Sequence, residues 1–317
     1  MWQLASGGIL GWALGANDAS NVFGTAVASR MLRFRTAAIA ASVCVVLGAV
    51  VGGGPGMLTY RDLGQTNLDT AFVVCLTAAV TVTLMTWQRL PVSTSQAVVG
   101  ALVAVSALGG TVDLGVLSKV VLCWVGTPIG AALLAVVLYV VLGRVVNALG
   151  LNLFRYDVTL RSALMVAGCY GAFALGANNV ANVTGPFVGK GMLSVPSACI
   201  IGGLCIALGV VTYSRGVMMT VGRGLVKLDA FSALVVVLAE ALAVHTYALV
   251  GVPVSTSQAV VGGVLGIGLV RGVRTVNKRT LVGILGAWLM TPLVAFVGTL
   301  LVCLAGARLG WLGSPVR

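Results

Sequence analysis

Apolar residues run along this chain in long blocks, separated by short intervals where arginine, lysine, glycine and proline gather. Ten blocks stand out: 4–29, 36–58, 70–88, 91–108 and 116–142, then 162–187, 194–214, 230–250, 253–270 and 281–307. Most are long enough to cross a bilayer as helices, which takes about 20 residues. The pattern predicts an all-α integral membrane protein. The fourth block of each set opens with a polar run, so 91–108 and 253–270 are expected to be broken or re-entrant helices.

The blocks belong to a duplication. Gly15-Ala16-Asn17-Asp18-Ala19-Ser20-Asn21-Val22 returns as Gly176-Ala177-Asn178-Asn179-Val180-Ala181-Asn182-Val183, 161 residues on. Pro91 to Gly100 returns unchanged as Pro253 to Gly262, 162 residues on, and Trp124, Thr127-Pro128 and Arg144 return as Trp288, Thr291-Pro292 and Arg308, 164 residues on. The same order with a slowly growing offset marks two membrane repeats, 1–150 and 151–317. Five segments per repeat is odd, so the second repeat starts on the opposite side from the first. With the loop after block one inside, fourteen basic residues from Arg30 to Arg279 fall inside. Only Arg61, Lys119, Lys190, Arg308 and Arg317, of 19 in all, fall outside. The repeats are thus expected to be inverted, with both termini outside and the broken helices meeting at the midplane.

Composition narrows the class. Hydrophobic residues make up 59% and charged residues 8%, with a mean hydropathy of +1.09, against about 25% charged in soluble domains. The net charge of +12 is scattered over short loops, which fits membrane topology and not a nucleic-acid surface. Residues 1–29 lack a basic leader and carry Asn17, Asp18 and Asn21, so they read as a retained first span. The seven cysteines lie in apolar blocks without ligand spacing and read as small hydrophobes.

Polar residues at span depth must face a cavity or another helix. Asn17 and Asn21 share a helical face, with Asp18 beside them, and Gly15 is a point where the helix could unwind and free carbonyls for Na+ or a relayed proton. The copies Asn178, Asn179 and Asn182 repeat the arrangement. Helix-packing glue is the plainer reading of such amides; an acid within a span argues for function. In the second cluster, Pro91 and Pro253 interrupt a helix, and Ser93, Thr94, Ser95 and Gln96, with Ser255, Thr256, Ser257 and Gln258, open the next one. Free N–H groups, hydroxyls and a positive helix end suit a tetrahedral oxyanion. A capping box, Ser93 with Gln96 and Ser255 with Gln258, is the plainer reading, and the two can coexist. Glu240 is a further buried acid, a candidate proton or cation site; His245 reads as a polar core residue.

These motifs resemble the hallmarks of the inorganic phosphate transporter family, close to G-A-N-D-x-A-N and P-V-S-T-T followed by His or Gln, in both halves and in order. The resemblance implies a secondary active transporter of inorganic phosphate, working by alternating access, a homodimer in the plasma membrane coupled to Na+ or H+. Carried over, the serines and threonines of the second cluster line the anion site. Asn17, Asp18, Asn178 and Asn179 serve the coupling ion, Na+ being the candidate metal. Three departures exist: Asn179 in place of an aspartate, Ser95 and Ser257 in place of threonine, and Cys44 where a glutamate is frequent. The last two also occur in a branch that carries sulfate, so a proton-coupled sulfate permease is the alternative. With no Walker motif, no H-E-x-x-H and no spaced nucleophile and base, neither an ATP-driven pump nor an enzyme is expected, and no cofactor.

Overall fold

The computed structural model describes residues 2–63, 66–87, 92–110, 112–188, 192–224, 228–272 and 278–310, without the side chains of 86–87, 220–224 and 278–281. Among them the chain is helical: α1 Leu4–Ala28, α2 Phe34–Gly52, α3 Gly54–Leu63, α4 Leu68–Trp87, α5 Thr94–Leu108, α6 Leu114–Ala148, α7 Leu153–Thr184, α8 Val195–Gly224, α9 Ala230–Val250, α10 Thr256–Arg271 and α11 Lys278–Arg308. Seven are long and apolar enough to cross a membrane. α5 and α10, at 15 and 16 residues, reach only about 22–24 Å, short of the roughly 30 Å hydrocarbon core. They are half-helices. The chain is a multi-pass membrane protein.

The duplication governs the packing. α1 lies on α8 and α2 on α7; α5 lies on α11 and α10 on α6. Each pair is the image of the other once the repeats are exchanged. Glycine marks the closest approaches. A Cβ on Gly15 would stand 1.9 Å from the Ile206 carbonyl oxygen, and one on Gly176 2.0 Å from that of Val45. Gly100 against the Pro292 carbonyl and Gly262 against that of Pro128 repeat the device at 2.3 and 2.2 Å. The repeats therefore interlock, backbone against backbone, as small residues allow between membrane helices.

Two sequence expectations change here. α1 runs unbroken through Gly15, whose function is close packing against α8, not local unwinding. Block 36–58 is two helices, because three consecutive glycines, Gly52 to Gly54, weaken the helix and Pro55 removes a backbone donor. At the same offset the second repeat has Tyr213-Ser214-Arg215-Gly216, and α8 runs through. Among the described residues only the first repeat thus carries a separate α3, with Met57, Tyr60 and Leu63 buried and the Arg61–Asp62 ion pair exposed.

The surface reverses the usual polarity. On α6 the exposed stripe is Leu122, Val125, Ile129, Leu133 and Val137, while the buried stripe is Val120, Trp124, Thr127, Ala131 and Ala135. Large apolar side chains facing outward suit lipid as the solvent, while the buried stripe mixes Ala131, Ala135 and Thr127 with Val120 and Trp124. Between the repeats, the buried polar groups converge on the starts of α5 and α10.

Candidate functional site

The two half-helices begin alike. Ser93 caps α5, its hydroxyl accepting the Gln96 backbone N–H at 3.3 Å, and Ser255 caps α10 by accepting that of Gln258 at 3.3 Å. Half of each capping box is therefore present; the reciprocal side-chain bond is not, since the buried Oε1 atoms of Gln96 and Gln258 find no partner among the described residues. Gly251, at φ 76°, ends α9 and turns the chain into Val252 to Ser255. Pro253 lies in that link, and its counterpart Pro91 lies outside the described residues.

The two helix starts are bound to each other. The Ser95 hydroxyl donates to the Val254 carbonyl at 2.8 Å, and its image, the Ser257 hydroxyl, donates to the Val92 carbonyl at 3.0 Å. The positive ends of two helix dipoles thus face one another across the repeat axis. The Asn178 side chain clasps the same link, donating to the Val254 carbonyl at 2.8 Å and accepting its N–H at 3.1 Å, and the Trp124 indole donates to the Pro253 carbonyl at 3.2 Å.

The amide and acid cluster adjoins this junction. Asn182 donates to Ser95 Oγ at 3.0 Å and to Asn179 Oδ1 at 2.8 Å; Asn179 donates to Asp18 Oδ2 at 3.4 Å. Thr256 also donates to Asp18 Oδ2, at 3.1 Å, and accepts from Asn21 at 3.4 Å. Asp18, Asn178, Asn179 and Asn182 are buried; Asn21 and Ser257 are half-buried. Asn17 is half-buried and its side chain takes no part in this network, although its carbonyl accepts from Ser20 at 2.6 Å. Glu240 is buried on α9, and its Oε2 has no partner among the described residues. Its counterpart at an offset of 162 is Ala78. His245 accepts or donates through Nδ1 with the Tyr170 hydroxyl at 2.8 Å, away from the cluster.

Near-identical motifs make an asymmetric site. Thr256 bonds Asp18, whereas Thr94, its image, is buried without a partner among the described residues. The cause is Asn179 at the position equivalent to Asp18, whose oxygen already accepts from Asn178 at 3.2 Å and from Asn182. Sequence reading missed Tyr60, whose hydroxyl donates to Asn182 Oδ1. The signal was the helix break at Gly52 to Gly54, which turns α3 toward the cluster.

The sequence profile of the phosphate transporter family matches residues 14–156 and, a second time, 151–299. The chain belongs to the phosphate transporter family. Members of this family are membrane permeases and not enzymes. A provisionally named phosphate permease of Methanocaldococcus jannaschii is 30% identical over 284 residues, covering 90% of this chain and 90% of that protein. A provisionally named phosphate permease of Pyrococcus horikoshii is 26% identical over 90% of this chain and 92% of its own length. The sulfate permease CysP of Bacillus subtilis is 29% identical over 308 residues, covering 92% of this chain and 84% of that protein. A solved structure titled as the sodium-dependent phosphate transporter superposes with a TM-score of 0.81 over 95% of this chain and 98% of that one, at 24% identity. This phosphate transporter family member therefore shares that fold.

Proposed function

We propose that the chain is a secondary active transporter of inorganic phosphate, coupled to Na+ or H+, in which the repeats rock about the junction of α5 and α10 to expose it to either side in turn. The observation that carries this reading is the pair of helix starts bound to each other by Ser95 and Ser257 beside a buried Asp18. Facing positive helix ends and the Thr94 hydroxyl, without a partner among the described residues, supply an oxyanion with donors. Phosphate at neutral pH still carries a proton that needs an acceptor, and the side-chain oxygens of Gln96 and Gln258, which have no partner among the described residues, can supply one. Asp18, with Asn21, Asn179 and Thr256 around it, serves the coupling ion, and Glu240 adds a second buried carboxyl. With a single acid where two symmetric ones would sit, one cation per such site is the natural coupling. The protein works in the plasma membrane with both termini outside, as the distribution of basic residues favours, and as a homodimer.

Sulfate is the second reading, favoured by the likeness to the Bacillus subtilis sulfate permease. Uptake of radiolabelled phosphate into proteoliposomes, with sulfate as competitor, under imposed Na+ and pH gradients separately, tests both. Saturable, gradient-driven phosphate uptake lost in Ser93→Ala or Ser255→Ala supports the first. Sulfate uptake without phosphate uptake replaces it with the second.

A further inference from the structure

We infer that Tyr60 is a positioning residue for the coupling-ion site, setting the direction of a chain of side-chain amides that ends on Asp18. The inference rests on the coupled-transport reading above. Tyr60 is fully buried on α3, and its hydroxyl donates to Asn182 Oδ1. That leaves the Asn182 amino group for Ser95 Oγ and Asn179 Oδ1, and the Asn179 amino group for Asp18 Oδ2. Every amide thus points its donor toward the carboxylate. An amide can be turned over at little intrinsic cost, so its partners decide its direction.

Two anchors fix this one. The Val254 N–H can only donate, which holds Asn178 Oδ1 toward it and the Asn178 amino group toward Asn179 at 3.2 Å. Tyr60 holds the other end. Reversal would turn the Asn182 amino group onto the phenol and leave the buried phenolic proton without that acceptor, an unmade hydrogen bond that opposes it.

The direction matters to a cation. Donors on a carboxylate stabilise its empty, charged form and compete with a proton or Na+ for the same lone pairs. With the chain reversed, Asn179 would present Oδ1 beside Asp18, adding one oxygen to those a bound cation finds on the Asp18 carboxylate and the Thr256 hydroxyl. Tyr60 therefore favours release of the coupling ion, and its loss should tighten cation binding. Damage to the fold alone would weaken it. The second repeat has Val221 at the equivalent position, so no such group exists there.

The test compares wild type, Tyr60→Phe, Tyr60→Leu and Thr59→Val as full-length protein in proteoliposomes. Thr59 anchors the same helix through the Gly251 carbonyl at 2.5 Å but does not touch the amides. Radiolabelled uptake of phosphate, or of sulfate if wild type takes that instead, is titrated against external Na+ and against external pH. Cation-dependent thermal stabilisation in detergent gives the same comparison without transport. With the Asn178 anchor still on Asn179, both hydroxyl-free variants reverse the chain only in part and should lower the half-saturating cation concentration about threefold, short of the tenfold that about 1.4 kcal/mol would give, with the anion constant within about twofold and Thr59→Val like wild type. Unchanged or weaker cation dependence in the Tyr60 variants, or the same shift in Thr59→Val, overturns the assignment while transport stands. Wild-type vesicles without anion uptake, or with uptake indifferent to cation, overturn the transport or coupling reading and this one with it.

Discussion

Ser95 and Ser257 stand at the same place in two identical ten-residue motifs, and their replacement by alanine should nevertheless differ. Ser95 is buried; it donates to the Val254 carbonyl at 2.8 Å and accepts from Asn182 at 3.0 Å. Ser257 is half-buried; it donates to the Val92 carbonyl at 3.0 Å and shares a 2.8 Å bond with Ser255. A net buried hydrogen bond contributes about 1 kcal/mol, so Ser95→Ala loses about 2 kcal/mol. The loss should not exceed that by much, because the Val254 carbonyl keeps its bond from Asn178 at 2.8 Å and Asn182 keeps Asn179 at 2.8 Å. At Ser257 water can replace part of what is lost, which holds the cost to about 1 kcal/mol or less. The gap of about 1 kcal/mol corresponds to somewhat under tenfold in an equilibrium constant. It is read as the difference in unfolding free energy of the purified protein in detergent, with the half-saturating anion concentration in vesicle uptake measured alongside. A double-mutant cycle with Asn182→Ala should return a coupling energy for Ser95 and none for Ser257. Equal losses, or a larger loss at Ser257, would refute the asymmetry.

Three further outcomes are expected. Asp18→Asn keeps the side-chain shape and removes the charge, so gradient-driven uptake should vanish while phosphate still raises the melting temperature of the purified protein; retained accumulation against a gradient argues that Asp18 does not carry the coupling. Gly15→Ala and Gly176→Ala each push a methyl into a backbone oxygen at 1.9 and 2.0 Å, and should destabilise by about 3 kcal/mol or more, whereas Gly130→Ala, with open space around it, should match wild type on size-exclusion chromatography and heating. Arg161→Ala removes an exposed pair to Asp157 at 2.7 Å and a bond to the Met31 carbonyl at 2.8 Å, and should lower stability by less than about 1 kcal/mol, with salt masking part of that in unfolding measurements.

Much of the fold was legible because hydrocarbon imposes simple demands. Blocks of about twenty apolar residues must be helices, and a repeated order of motifs exposes the duplication. The short polar-headed blocks at 91–108 and 253–270 showed themselves as half-helices for the same reason. α3 was less visible: Gly52 to Pro55 announced a break, but hydropathy ran on through it. Gly15 was misread, because a glycine that permits unwinding and one that permits close packing look the same in a sequence. On α6 the lipid-facing and buried stripes are both apolar, so no hydropathy pattern could separate them.

The sequence by itself determined the class, the two repeats, the paired motifs and the family, since each follows from residue type and spacing along the chain. Only the tertiary structure decided which hydroxyl bonds which carbonyl, that Thr256 reaches Asp18 while Thr94 has no partner among the described residues, and that Tyr60 joins the cluster. The physical reason is that Ser95, Val254, Asn182 and Tyr60 come from four separate elements. Their hydrogen bonds exist only once the repeats interlock, and there the change from Asp18 to Asn179 leaves two near-identical motifs with unequal partners.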